Sequence, residues 1–254
     1  VGEDNQEFLS RFEPFWYDVG MRKLGTVQCL EVPVANPSDE ANADYLILFH
    51  GYGADAYDLR SLSEVIKTPK PTHLLFPQGV LEVPIGPGWT GRAWWNIDIE
   101  ALQKAAASGM PRDLSESKPE GFEKLMPRIF GMIAQLKVPW NRIILGGFSQ
   151  GAMLATDLFL RAPEAPKGLI VLSGALVNKT EWRELANQRA GSRFFISHGQ
   201  NDLVLAHKGA AQLETMLVNA GLKGSLMTFQ GGHEIPLSVI QKTNEYLKSL
   251  ESCA

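Results

Sequence analysis

"IILGGFSQGAML", residues Ile143 to Leu154, is the stretch whose reading decides the fold. An apolar run stops at two glycines, a serine stands between Gly147 and Gly151, and helix-forming residues follow. That order predicts a strand, a sharp turn and a helix. The pattern G-x-S-x-G is weak alone, because glycine is common in this chain. Its flanks give it weight: "RIIL" before it suits a buried strand, and "AMLATDLFL" after it has helical spacing. Small residues at 147 and 151 let strand and helix approach while the serine takes a strained backbone shape. Ser149 would then project at the carboxyl end of a sheet, where open α/β sheets carry their sites.

The same alternation runs outward from this point. "YLILF" from Tyr45, "HLLFP" from His73, "GLIVLSGA" from Gly168, "RFFISHG" from Arg193 and "SLMTFQ" from Ser225 read as strands. "YDLRSLSEVI" from Tyr57, "FEKLMPRIFGMIAQL" from Phe122, "TEWRELANQ" from Thr180, "HKGAAQLETMLVNAG" from His207 and "LSVIQKTNEYLKSL" from Leu237 read as helices. Buried strands alternating with amphipathic helices predict one α/β domain over residues 1–254, with a mostly parallel sheet covered on both faces. "TVQCLEVPV" from Thr26 reads as an early strand, and Pro33 favours the sheet edge for it. Pro127 is expected in the first turn of its helix or at a break. Residues 1–24, with the aromatic knot "FEPFWYDVG", read as an N-terminal arm. The stretch 78–121 reads as a long loop region near the site, with one helical patch, "DIEALQKAAA" from Asp98.

The net charge of −4 argues against a nucleic-acid partner, as does the lack of a Lys/Arg cluster. No apolar stretch reaches the ~20 residues of a membrane span. No export signal is visible, so a cytoplasmic chain is expected; a start at Val1 rather than Met leaves a removed signal open. Cys29 and Cys253 lie in no metal-ligand spacing and read as spare thiols. No HExxH or comparable cluster appears, so no metal is expected.

A serine hydroxyl is a poor nucleophile and needs a base. In the order Ser, acid, His, the base follows Ser149 in the chain. His233, in "FQGGHEIP", lies between the last strand and the last helix, where a loop carries it over the sheet edge. His198 is expected to be structural, bonded to loop backbone, and His207 to be exposed; His73 is given no role. Asp202, in "HGQNDLVL", follows the penultimate strand and is the candidate acid. Asp157 lies inside the helix after Ser149 and points elsewhere, and Glu234 reads as a first-turn helix carboxylate. Two backbone N–H donors are needed for the oxyanion. Gln150, at a helix N-terminus, is one candidate, and Tyr52, in "LFHGYGADA", is the other.

"LFHGYGAD", "AWWNID", "GGFSQGAML", "SHGQNDLVL" and "GGHEIP" together resemble, in order, the motifs of the phospholipase/carboxylesterase family, which includes acyl-protein thioesterases and lysophospholipases. The resemblance spans roughly Tyr45 to Leu247. It implies an α/β-hydrolase fold with little or no cap domain, no cofactor, and hydrolysis of carboxylic esters or thioesters of small to medium acyl chains. By matching position it gives Ser149, Asp202 and His233 the catalytic roles and Tyr52 and Gln150 the oxyanion roles. It also puts Trp94 and Trp95 near the substrate pocket. Tyr52, where thioesterase relatives commonly carry a smaller residue, is expected to narrow that pocket. The implied partner is a small-molecule ester or thioester, and the chain a monomer or homodimer. Two other readings use the same residues: a catalytically silent ligand-binding protein, and an acyltransferase.

Overall fold

Every residue of Asp44–Phe49 (β3) and Thr72–Pro77 (β4) is buried, as continuous apolar runs must be when helices cover both faces of a sheet. The computed structural model describes residues 20–98 and 113–251, with 101, 104, 105 and 108. Before β3 come β1 (Met21–Leu24) and β2 (Val27–Val32). After it come β5 (Leu81–Gly86), β6 (Trp89–Ala93), β7 (Ile143–Phe148), β8 (Gly168–Leu172), β9 (Arg193–Gly199) and β10 (Lys223–Phe229). The main sheet runs β1-β2-β4-β3-β7-β8-β9-β10. β1 and β2 are antiparallel to each other, β2 is antiparallel to β4, and the pairs from β4 to β10 are parallel.

The helices are α1 (Leu62–Val65), α2 (Phe122–Ala134), α3 (Gln150–Arg161), α4 (Lys179–Ala186), α5 (His207–Asn219) and α6 (Leu237–Ser249). Strand side chains sort between the two faces with a period of two. Ile47, Phe49, Leu145 and Val171 pack with α2, α3, α4 and α5. Leu46, Leu48, Ile144 and Ile170 pack with α1 and α6. α3 lies against the middle of the sheet and is buried from Gln150 through Leu160.

Several local expectations differ from what is found. β2 is interior, between β1 and β4; Pro33 falls just past the strand and removes no ladder bond. The last residues of the expected arm, Met21–Leu24, form one of the two edge strands, while "FEPFWYDVG" lies almost wholly outside the described residues. Only Leu62–Val65 of "YDLRSLSEVI" is helix; the residues before it are turns. Pro127 sits inside α2. Both Pro127 and Glu123, whose carbonyl loses its donor, are on the exposed side, where water replaces the bond. The stretch 78–121 contains an antiparallel ribbon, β5 with β6, that had read as loop. Most of the patch from Asp98 lies outside the described residues; Ala101, Lys104 and Ala105 within it are helical.

The topology locates the site. β3 pairs with β4 on one side and β7 on the other, and the chain winds outward from this pair in both directions. The loops after β3 and β7 therefore open a crevice at the carboxyl ends of the strands, the usual ligand position in open α/β sheets.

Candidate functional site

Ser149 joins β7 to α3 with φ 54 and ψ −118, a conformation L-residues rarely hold. The surroundings impose it. Its N–H bonds Leu172 O at 2.9 Å, and its carbonyl accepts from Ala152 and Met153 N–H at 3.0 and 3.2 Å. A Cβ at Gly151 would lie 2.0 Å from Phe49 O, and one at Gly147 2.5 Å from Gly151 O, so neither position admits a side chain. The Ser149 hydroxyl makes no capping bond to its own helix. The residue faces a cavity of about 540 Å³ that Tyr52, Trp95, Phe148, Met153 and His233 also line.

His233 stands in the loop between β10 and α6, its ring tilted against Phe148 with centroids 4.7 Å apart. Its Nδ1 lies 2.7 Å from Asp202 Oδ2. Asp202, fully buried, follows β9. Its Oδ1 accepts from Val204 and Leu205 N–H at 2.8 and 2.9 Å, and its Oδ2 also lies 3.1 Å from His198 Nε2. Burial opposes ionisation of this carboxyl. The bonds from His198 and His233, the charge of His233 and the Leu205 N–H outweigh it and hold the carboxyl well below the usual carboxylate range. Asp202 acts as an ionised acceptor, which fixes the His233 proton on Nδ1 and leaves the ring's lone pair on Nε2.

The loop after β3 passes close by: a Cβ at Gly51 would touch Ser149 Cβ at 3.4 Å. His50, buried at the end of β3, orders that loop. Its Nε2 accepts from Gly79 N–H at 2.9 Å, so its proton is on Nδ1, which bonds Gly51 O at 2.7 Å. The Gly51–Tyr52 peptide is trans, so its N–H points opposite to its carbonyl. Pinning Gly51 O toward His50 thereby aims the Tyr52 N–H away from His50. The β5–β6 ribbon clips the loop from outside, through Gly53 N–H to Arg92 O and Arg92 N–H to Ala54 O, each 2.8 Å. Gln150 opens α3, so its own N–H has no acceptor within the helix.

The family profile described as phospholipase/carboxylesterase matches residues 30–251. The chain belongs to the phospholipase/carboxylesterase family. It is an α/β-hydrolase of the esterase and thioesterase type. Among its relatives, acyl-protein thioesterase 1 homolog 1 of Dictyostelium discoideum is 29% identical over 194 residues, covering 74% of this chain and 82% of the relative. Acyl-protein thioesterase 1 of Neurospora crassa is 28% identical over 222 residues, covering 85% and 90%. Among solved structures, esterase PE8 superposes with a TM-score of 0.71 at 24% identity, covering 88% of this chain and 99% of that one.

Within this phospholipase/carboxylesterase chain the two adjacent tryptophans part company. Trp95 lines the cavity with Ser149 and meets Phe122 edge-on at 4.9 Å. Trp94 does not line it. Its indole N–H bonds His50 O at 2.9 Å and its ring packs edge-on against Phe49, so it supports the β3 loop from the core. β6 ends at Ala93, and in the bend that follows one of the pair turns to the site and the other to the core. Tyr52 is half-buried at the cavity wall, where burial raises its phenol pKa.

Other polar residues are spent elsewhere. Asp157 is buried in bonds to Arg161 Nε and Trp182 Nε1, both 2.7 Å. Glu234 precedes α6 and accepts from Gly232 N–H at 3.1 Å within the His233 loop. His207 is half-exposed, with Nε2 2.7 Å from Thr228 Oγ1. His73 is buried and stacked on Tyr45 at 4.6 Å, away from the cavity. His198 bonds the loop backbone, with Nε2 2.8 Å from Leu205 O, and also reaches Asp202. The ordering role of His50 and that of the Gln150 side chain were not read from sequence. Gln150 accepts from Trp94 N–H at 3.0 Å and donates to Trp95 O at 2.8 Å. A lone glutamine among the small residues of a turn is the only hint either motif offers. Among the described residues, no group of three or more His, Cys, Asp or Glu is placed to hold a metal, and no helix is long and apolar enough to cross a membrane.

Proposed function

We propose that the chain hydrolyses carboxylic esters or thioesters of small to medium acyl chains by a serine acyl-enzyme mechanism. Ser149 Oγ attacks the carbonyl carbon while His233 Nε2 takes its proton. Asp202 keeps the imidazole in the Nδ1–H form and balances the imidazolium. The Tyr52 and Gln150 N–H groups receive the charge that develops on the carbonyl oxygen. His233 returns the proton to the departing alcohol or thiol. Water then attacks the acyl-enzyme through the same base and frees Ser149.

The observation that carries this reading is the pairing of His233 with a buried, ionised Asp202 at 2.7 Å on the wall of the cavity that Ser149 faces. Two further points support it. Ser149 is held in a strained turn with its hydroxyl uncommitted by its helix. The cavity, at about 540 Å³, falls within the roughly 300–1,000 Å³ of small-molecule sites. Its apolar wall of Trp95, Phe148, Met153, Val177 and Leu205 suits an acyl chain.

The test joins a fluorophosphonate label with turnover of aryl esters and thioesters of graded chain length. Labelling is expected at Ser149, and Ser149→Ala should lose on the order of 10⁶ in kcat. An unlabelled protein, or a Ser149→Ala variant with parental activity, refutes the mechanism. Product analysis with competing alcohols separates hydrolysis from acyl transfer.

A further inference from the structure

Among the buried titratable side chains that the mechanism above leaves unused, one touches its acid. His198, on β9, is completely buried and approaches the same Asp202 oxygen, Oδ2, that His233 bonds. Its Nε2 lies 3.1 Å from Asp202 Oδ2 and 2.8 Å from Leu205 O. Both neighbours are acceptors, so the ring proton must be on Nε2, shared between Leu205 O, the shorter contact, and Asp202 Oδ2. Its Nδ1 is buried and has no hydrogen-bond partner among the described residues. A second proton there would be a buried donor with nothing to meet, which fixes the Nε2–H tautomer.

Asp202 now has donors around both oxygens. Val204 and Leu205 N–H serve Oδ1, while His198 and His233 share Oδ2. A carboxylate offers about four acceptor sites, and all are taken. The backbone pair fixes one oxygen; among the described residues, only His198 and His233 fix the other. Without His198, Oδ2 would be held by His233 alone, which is the group it has to orient.

We propose that His198 is a positioning residue for the reaction: its Nε2–H holds Asp202 Oδ2, the oxygen that His233 also bonds, and so sets the direction and strength of the Asp202–His233 bond. This rests on the mechanism proposed above. The charged and titratable groups around the His198 ring are Asp202 on one side, His233 beyond it, and His207 of α5, whose ring meets it edge-on at 5.9 Å. Asp202 is the one that His198 bonds.

The experiment is a double-mutant cycle read through pH profiles of kcat/KM with an aryl ester. His198→Leu removes the donor and keeps the bulk. It should lower kcat/KM between about tenfold and a hundredfold, the worth of one hydrogen bond to a charged group. Asp202, relieved of one donor, then draws harder on the imidazolium, so the acid limb should move to higher pH. His198→Gln offers an amide NH₂ to both Leu205 O and Asp202 Oδ2 and should restore activity and limb. In an Asp202→Asn background, His198→Leu should cost less than about twofold more, because the group it acts through is gone. An equal loss in both backgrounds, an unmoved limb, or a glutamine variant as poor as the leucine one overturns the proposal. Parental activity in Asp202→Asn alone overturns the triad reading with it, whereas a damaged Asp202→Asn beside a parental His198→Leu overturns only the role of His198. Should the leucine variant not fold, imidazole ¹⁵N NMR of the parent protein decides: a proton on His198 Nδ1 rather than Nε2 refutes the clamp.

Discussion

Replacing Gln150 by alanine separates two jobs held by one residue. The backbone N–H of Gln150 is the proposed oxyanion donor, and alanine keeps it. The side chain, 1% exposed, accepts from Trp94 N–H and donates to Trp95 O. Alanine leaves both main-chain groups buried without partners, at about 1–3 kcal/mol each, or about 2–6 kcal/mol together. Domains of this kind are stable by about 5–15 kcal/mol, so the loss is a large share. Each kcal/mol moves Tm by about 2–4 °C at this chain length, so a fall of about 5 °C or more is expected. Urea midpoints and calorimetry measure it. Kinetically, the loosened Trp95 wall should raise KM more than it lowers kcat, since the oxyanion donor remains. Gln150→Glu sharpens the test. Its carboxylate still accepts from Trp94 N–H but faces the Trp95 carbonyl, so the charged form is disfavoured in the fold. Its folded pKa is then raised, and its stability deficit should shrink as pH falls toward the ordinary Glu value near 4.3. A Gln150→Ala variant within about 0.5 kcal/mol of the parent would show that the bridge is not holding the two tryptophans.

Three further outcomes follow from single residues. Burial, with the field of Glu31, pushes the Cys29 thiol up to about 12, so peptide mapping should find it unlabelled by thiol reagents at pH 8 in native protein and labelled in denaturant. Burial also lowers the pKa of His50, against its bond to Gly51 O; the unfolded chain therefore takes up a proton near pH 6.5 that the fold does not. The His50 contribution to stability is thus present above about pH 6.5 and lost below it, by up to ~1.4 kcal/mol per pH unit, and His50→Asn should flatten the fall in urea midpoint between pH 7.5 and 5.5. An unchanged slope sinks that attribution. Finally, Gly151→Ala drives a Cβ to 2.0 Å from the Phe49 backbone and should cost about 3 kcal/mol or more, while Gly131→Ala, with nothing within 4 Å of its Cβ inside α2, should gain about 0.5–1 kcal/mol; thermal melts of the two compare them directly.

The parts of this fold that were legible in the sequence are those where burial itself writes the pattern. "YLILF", "HLLFP" and "GLIVL" are apolar throughout because helices cover both sheet faces, and β3, β4 and β8 follow from them. The β1 strand, "MRKL", is exposed but for Leu24, so no apolar period marks it. The β5–β6 ribbon likewise leaves Ile85 and Trp89 in solvent and carries proline and glycine, which read as loop. The interior place of β2 depends on which strand pairs with which, and the Pro33 rule speaks only of the residue's own missing N–H.

The site divides along a related line. Ser149, Asp202 and His233, the proposed reacting groups, are named by residue type and by position between elements, because a nucleophile, an acid and a base must be particular residues at particular loops. His50 and the Gln150 side chain leave no such trace, because their partners are main-chain groups: Gly51 O, Gly79 N–H, Trp94 N–H and Trp95 O. Every residue has those atoms, so no residue type at the far end announces the bond. For His198 the sequence points to the loop-backbone bond, made to Leu205 O, but not to the contact with Asp202. Yet these are the contacts that set the direction of the Tyr52 peptide, the seat of Trp95 and the hold on Asp202 Oδ2. An oxyanion donor acts only if it already points where charge will develop. The proposed reacting groups in this chain are therefore readable one by one, whereas their alignment is carried by bonds, mostly from side chain to backbone, that only the folded coordinates reveal.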